Sequence, residues 1–246
     1  MTLQMAKKKA RFPKHPFDVE HGTDTGGLTP GVELKTGHEN DRHNTAYYGI
    51  APSLFRRFVT QWRKLPPPHR LSSYSFIDIG AGKGRAMLLA SEFNFREVVG
   101  VELHPELARR CRRNLRVWKA AYPATAPLRL VEGDATELLF PPGPCLVYMF
   151  NPFGAPVVRR LLRTIEAQFA NRKGDLDILY VNHESEAAIK GRSGFKQLWR
   201  GQVAMSSLDA IVDLQIINSQ LDGEYGSTGD EACSIYRYNG LKTPSV

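Results

Sequence analysis

Apolar positions along this chain follow two different periods, and the change from one to the other sets out the fold. Leu54, Phe55, Phe58, Val59, Trp62 and Leu65 recur on one helical face behind Pro52 and Ser53. This predicts an amphipathic helix over 52–65, stopped by Pro66-Pro67-Pro68. From Phe76 onward the pattern becomes short apolar runs separated by helical stretches. Phe76 to Ile79, Glu97 to Leu103, Leu128 to Glu132 and Cys145 to Phe150 read as strands, and the alternation continues to about Val181, which implies a parallel sheet. A last pair, Leu208 to Asn218 and Glu231 to Tyr238, reads as two antiparallel strands joined by the Gly-rich stretch Ser219 to Asp230. Residues before about Asn44 show no clear period, and no internal repeat is visible.

The strand-turn-helix run Phe76 to Ala90 carries the first candidate chemistry. Gly80, Gly82 and Gly84 let the backbone turn sharply and approach a ligand, and the free N–H groups of the new helix point into that space. A dinucleotide cradle needs G-x-G-x-x-G, but the third glycine position counted from Gly80 is Arg85, which disfavours a dehydrogenase. Asp78 stands two residues before the turn, where its carboxylate can meet a cationic amine. Glu102 ends the next strand, where a carboxylate can accept from both hydroxyls of a ribose. Singly, these residues also read as ordinary turn and surface groups: Asp78 and Asp134 as turn aspartates, Glu102 as a solvated acid, Asn151-Pro152 as a turn opener. Jointly, each at a strand end, they point to a nucleotide cofactor.

Asp78-x-Gly80-x-Gly82-x-Gly84 resembles motif I of the class I methyltransferases that use S-adenosylmethionine, and the partners follow in order through Glu102, Asp134 and Asn151. The resemblance covers about Ser75 to Asn182. It implies a doubly wound, mostly parallel seven-stranded α/β sheet with a C-terminal antiparallel hairpin and an N-terminal helical and irregular extension. It also implies S-adenosylmethionine as cofactor, held by Tyr48, Asp78, Gly80, Ala81, Gly82, Gly84, Glu102, Leu103, Asp134, Ala135 and Asn151, with Asp134 accepting from the exocyclic amine of adenine. Asn151, Pro152 and Phe153 fall where the family faces its methyl acceptor. They are similar to the Asn-Pro-Pro-aromatic motif of nitrogen methyltransferases, although here the aromatic comes one place early and Gly154 follows. Tyr47-Tyr48-Gly49 faintly resembles the segment that covers the cofactor in non-SET histone-lysine methyltransferases. The acceptor implied is a protein side chain or a small molecule, with RNA left open. An aminopropyl transferase and a noncatalytic cofactor-binding module of the same fold are the rivals.

Composition narrows the setting. The 246 residues suit one α/β domain over 71–246 behind an N-terminal extension over 1–70, which reads as a basic tail, a lid and the amphipathic helix. The net charge of +8 raises the question of nucleic acid, but much of it sits on two predicted helices. One carries Arg109, Arg110, Arg112, Arg113, Arg116 and Lys119, the other Arg159, Arg160 and Arg163, and both read as solvated faces. Cys111, Cys145 and Cys233 are far apart with no C-x-x-C pair, no apolar run reaches membrane-span length, and Met1 to Arg11 is no secretory signal. A cytoplasmic protein without membrane partners is expected; its oligomeric state is open. Asp24-Thr25-Gly26 matches the aspartic-protease triplet without the apolar flanks that chemistry needs. His21, His38 and His43 fit no zinc spacing, so no metal is expected.

Overall fold

The computed structural model describes residues 14–218 and 229–240. The basic tail and most of the Gly-rich stretch 219–230 lie outside them. The N-terminal extension holds α1 (Pro16–His21), β1 (Leu28–Thr29) and β2 (Tyr47–Tyr48), the last two pairing antiparallel, followed by α2 (Pro52–Lys64). Pro52 opens α2, where a missing N–H costs nothing, and Leu54, Phe55, Phe58, Val59 and Trp62 are buried along one stripe. Strands and helices then alternate: β3 (Ser75–Ile79), α3 (Arg85–Ser91), β4 (Glu97–Glu102), α4 (Pro105–Ala121), β5 (Leu128–Glu132), β6 (Cys145–Phe150), α5 (Ala155–Gln168), β7 (Leu176–Val181) and the short α6 (Ala187–Lys190). The chain closes with β8 (Phe195–Ala204), α7 (Ser207–Asn218) and β9 (Asp230–Tyr238).

Seven strands form one sheet in the order β5-β4-β3-β6-β7-β9-β8, with only β9 running against the others. Successive side chains on each strand take opposite faces, so Phe76, Leu146, Tyr148 and Val181 pack with α2, α3 and α4, while Ile77, Ile79, Val147 and Ile178 pack with α5. The strand order reverses between β3 and β6, and in such sheets the crevice at the carboxyl ends of the strands flanking that point is where ligands bind. Among the described residues no helix is long and apolar enough to cross a membrane.

The C-terminal antiparallel strand pair is present, but one of its strands is not the segment expected. Leu208 to Asn218 is helix α7, and the antiparallel partner of β9 is β8, which lies before that helix. The β-branched run Ile211, Val212 and Ile216 suggested a strand, but Asp209, Val212, Asp213 and Ile216 are buried at helical spacing while Leu208, Ile211 and Leu214 face outward. The start of the helix is signalled by Ser206, whose hydroxyl accepts the Asp209 N–H at 3.2 Å.

The irregular N-terminal residues are fixed by a buried ion pair. Arg85, the first residue of α3, donates Nε–H to Thr25 Oγ1 at 2.7 Å and approaches the Gly49 and Ile50 carbonyls and Asp18 Oδ2 at 3.2–3.3 Å. Asp18 also accepts from the Thr23 hydroxyl and from both the hydroxyl and the N–H of Thr25. Burial alone would raise the Asp18 pKa, but Arg85 and these hydrogen bonds hold it below the usual carboxylate value. Both partners are 3% exposed. Removing one side of such a pair strands the other charge, so Asp18→Ala should lower the unfolding free energy by about 3–5 kcal/mol in urea denaturation. A loss below about 1 kcal/mol would show that Arg85 needs no counterion here.

Candidate functional site

The C-terminal ends of β3, β4 and β6, with the turns after them, wall a cavity that residues 34–48 close from above. Asp78, Gly80, Ala81, Glu102, Leu103, Asp134, Ala135, Tyr48, Pro152 and Phe153 all line it, so one space gathers most of the residues singled out from sequence. Gly82, Gly84 and Asn151 are not among the lining residues.

The three glycines all have positive φ, but their close approaches are to protein groups. A Cβ on Gly80 would lie 2.6 Å from Cβ of Pro152, one on Gly82 2.1 Å from Cε2 of Tyr47, and one on Gly84 2.7 Å from Sγ of Cys111. Gly84 therefore serves the packing of α3 on α4, and Gly82 lies under the Tyr47 ring. The ring is held there by its hydroxyl, which donates to the Thr25 carbonyl at 2.7 Å, and by the Lys83 ammonium 5.1 Å from its centroid.

The carboxylates differ in their surroundings. Glu102 accepts from the Gly82 N–H at 2.6 Å and the His104 N–H at 2.8 Å, one to each oxygen; burial raises its pKa while these backbone donors oppose the rise. Asp78 is 3% exposed and its Oδ2 has no hydrogen-bond partner among the described residues. Burial first, and then the nearby Glu102, push its carboxyl up to about 8. The Tyr148 hydroxyl, directly across the β3–β6 ladder from Asp78, is likewise buried without a partner. Asp134 accepts the Thr136 N–H at 2.8 Å, which caps the turn after β5, and the Asn40 amide N–H at 2.8 Å. A side-chain amide N–H thus already meets the carboxylate expected to accept an N–H from a ligand.

Asn151 has φ 39, a left-handed conformation that only a sharp turn imposes, and its N–H donates to the Val181 carbonyl at 3.1 Å. Its carbonyl accepts the Thr45 hydroxyl. The Thr45 N–H lies 3.5 Å from the Pro152 carbonyl, the Gly154 N–H donates to the His43 carbonyl at 2.9 Å, and Asn44 bridges to Phe153. The turn after β6 is therefore strapped by residues 43–45. Sequence reasoning missed Asn40, Thr45 and Tyr148. Only Tyr148 left a signal, as a polar-tipped aromatic in register with Asp78 in a fully buried strand.

The arginines of α4 face solvent and pair locally: Arg109 and Arg110 with Glu106, Arg110 also with Asp24, and Arg112 with Glu132. Among the described residues no group of His, Cys, Asp and Glu has the arrangement of a metal site.

An orphaned buried carboxyl leaves a signature in stability. Because the folded pKa of Asp78 lies above its unfolded value, its contribution is present below about pH 4 and lost as the pH rises through about 8. Asp78→Asn, which stays neutral, should therefore gain stability relative to the parent between pH 4 and pH 8 in paired denaturation curves. A constant difference across that range would place the Asp78 titration elsewhere.

Residues 77–149 match the family model described as a methyltransferase domain. No curated protein matches the chain. Among solved structures, a candidate RNA methyltransferase from Pyrococcus horikoshii aligns over 92% of this chain and 96% of its own, at 14% identity and a TM-score of 0.54, which shows a shared fold. Magnesium protoporphyrin IX methyltransferase from Synechocystis PCC 6803, solved with bound S-adenosylmethionine, aligns over 75% and 79% at 11% identity and a TM-score of 0.49. The N-methyltransferase NodS from Bradyrhizobium japonicum WM9 aligns over 75% and 96% at 11% identity and a TM-score of 0.47. The matched methyltransferase-domain segment spans β3 to β6 at the switch point, and the chain has a Rossmann-like α/β fold shared with the candidate methyltransferase from Pyrococcus horikoshii.

Proposed function

We propose that this enzyme methylates a nitrogen of a protein side chain or a small molecule, with Asn151, Pro152 and Phe153 beside the acceptor. The observation that carries the reading is the place of this turn: it ends β6 at the switch point, and Pro152 and Phe153 line the same cavity as Asp78, Glu102 and Asp134. S-adenosylmethionine supplies a methyl group made electrophilic by its sulfonium. What remains for the chain is to place a lone pair in line with it, and such positioning is worth about 7–11 kcal/mol. The cavity walls leave about 100 Å³ of free space. The three buried free thiols suit a reducing cytoplasm.

The residues present fit the cofactor. Asp78, buried and unpartnered, would meet the ammonium of the methionine moiety, whose charge favours the ionised carboxylate. Glu102 keeps acceptor capacity on both oxygens for the ribose, and Leu103 and Ala135 would flank the base. Asp134 would exchange the Asn40 amide for the adenine amine, an equivalent N–H donor. Ligand pockets span roughly 300–1,000 Å³, so we propose that residues 34–48, with the Tyr47 and Tyr48 rings, act as a lid on the 71–246 domain and withdraw to admit the cofactor.

Glu102→Ala should weaken S-adenosylhomocysteine binding by about 1.5–3 kcal/mol in calorimetry while the fold is kept, because a charged acceptor is lost. Unchanged affinity in the folded variant would remove Glu102 from the ribose. Methyl-label transfer to fractionated cell extract tests the function itself, and the labelled atom identifies the acceptor. On that acceptor, Asn151→Ala should lower turnover by at least about tenfold with little change in cofactor affinity, as expected for a group that orients the reacting nitrogen. Label on oxygen or carbon would refute the nitrogen reading.

A further inference from the structure

One wall of the cavity holds a tyrosine whose hydroxyl proton is already committed. Tyr48 lines the cavity, and its ring meets that of Phe150, the residue just before Asn151, edge-on at 6.5 Å. Its hydroxyl donates to Oδ1 of Asp213, on the buried face of α7. A tyrosine hydroxyl has one proton, so with that proton pointed at Asp213 its oxygen offers only lone pairs to anything in the cavity. A ligand beside it must bring a donor. Asp213 is 2% exposed, and its second oxygen, Oδ2, has no partner among the described residues.

We propose that Tyr48 contacts the acceptor nitrogen, and that the Tyr48–Asp213 pair takes that nitrogen's surplus proton before methyl transfer. This rests on the nitrogen reading above and narrows it to aliphatic amines that are protonated in solution. In the step, one N–H bond of the acceptor ammonium breaks and its electron pair stays on nitrogen as the lone pair. The proton joins the Tyr48 oxygen while the proton Tyr48 held passes to Oδ1 of Asp213, leaving a neutral amine, an intact tyrosine and a carboxylic acid. Nothing is oxidised or reduced, and the proton returns to solvent after the product leaves. Asp213 is the positioning residue and Tyr48 the one that touches substrate.

The surroundings suit such a receiver. Burial lifts the Asp213 carboxyl to about 6, the Tyr48 hydrogen bond and Arg85 oppose the rise, and Asp209 on the same helix adds to it. The charge of Glu231 on β9 reaches Tyr48, and His15 Nε2, which makes no hydrogen bond among the described residues, lies 3.9 Å from Asp209. Burial also keeps the Tyr48 hydroxyl protonated far above its ordinary range, so it relays a proton and does not act as a phenolate.

The test uses the full chain loaded with S-adenosylhomocysteine, with n-butylamine as the nitrogen probe and 1-pentanol as its uncharged counterpart. Carboxyl carbon NMR should show Asp213 titrating near pH 6, and Tyr48→Phe should move the midpoint up, since a hydrogen bond favouring the carboxylate is lost. In calorimetry, butylamine affinity should rise as the pH passes through 6. Asp213→Asn should weaken it about tenfold at pH 7 and flatten that dependence. Wild-type affinity and pH dependence in Asp213→Asn would overturn the proton role and leave the nitrogen reading standing. If 1-pentanol binds and butylamine does not, to parent and variant alike, the nitrogen reading falls and this inference with it. Should Asp213→Asn fail to fold, Tyr48→Phe decides, because it keeps the ring against Phe150: parent-like butylamine affinity there overturns the proposal.

Discussion

The guanidinium of Arg85 is the constraint on which the rest of the site depends. It is the first helical residue after the glycine turn, and it reaches back to Asp18, Thr25 and the carbonyls of Gly49 and Ile50. A charge so deeply buried is tolerated only when it is fully hydrogen-bonded, and the partners it recruits all belong to residues before α2. The interaction that keeps Arg85 satisfied therefore also ties residues 18–50 to the start of α3. Asn114 adds to this by binding the Asp24 N–H and carbonyl together with the Lys83 carbonyl, so α4 grips the same strap.

This explains what was legible in the sequence and what was not. The sheet was legible because β3, β4, β6 and β7 are buried on both faces and their apolar runs are nearly continuous. Asp78, Glu102 and Asp134 were legible because strand ends in this architecture converge, so residues far apart in sequence meet once the strand order is known. Arg85 was read only as the residue that breaks a dinucleotide motif. Its role depends on Asp18 and Thr25, 67 and 60 positions away, which no local period connects to it. The triplet Asp24-Thr25-Gly26, dismissed as protease-like, belongs to that anchor.

The α7 error has a different cause. A β-branched run in a helix is a case of tertiary context overriding propensity, and the evidence for the helix lay in its first turn, Ser206 with Asp209, outside the apolar pattern. Misreading α7 hid Asp213, because a strand holds residues four apart roughly 13 Å from each other, whereas one helical turn stacks Asp213 beside Asp209. Both are buried on the inner face of the helix, where Asp213 accepts the Tyr48 hydroxyl.

The strap over residues 40–45 has a consequence for the two ends of the cavity. Asn40 grips Asp134 at one end of the cavity, while Thr45 and Asn44 grip the turn of Asn151 and Phe153 at the other. One short stretch of backbone spans both ends, so they are mechanically linked. Releasing Asn40 frees slack that reaches the Asn151 turn within five residues. On the function proposed above, a cofactor that displaced Asn40 from Asp134 would therefore be felt at the Asn151 turn, which couples the two ends of the cavity through residues 40–45.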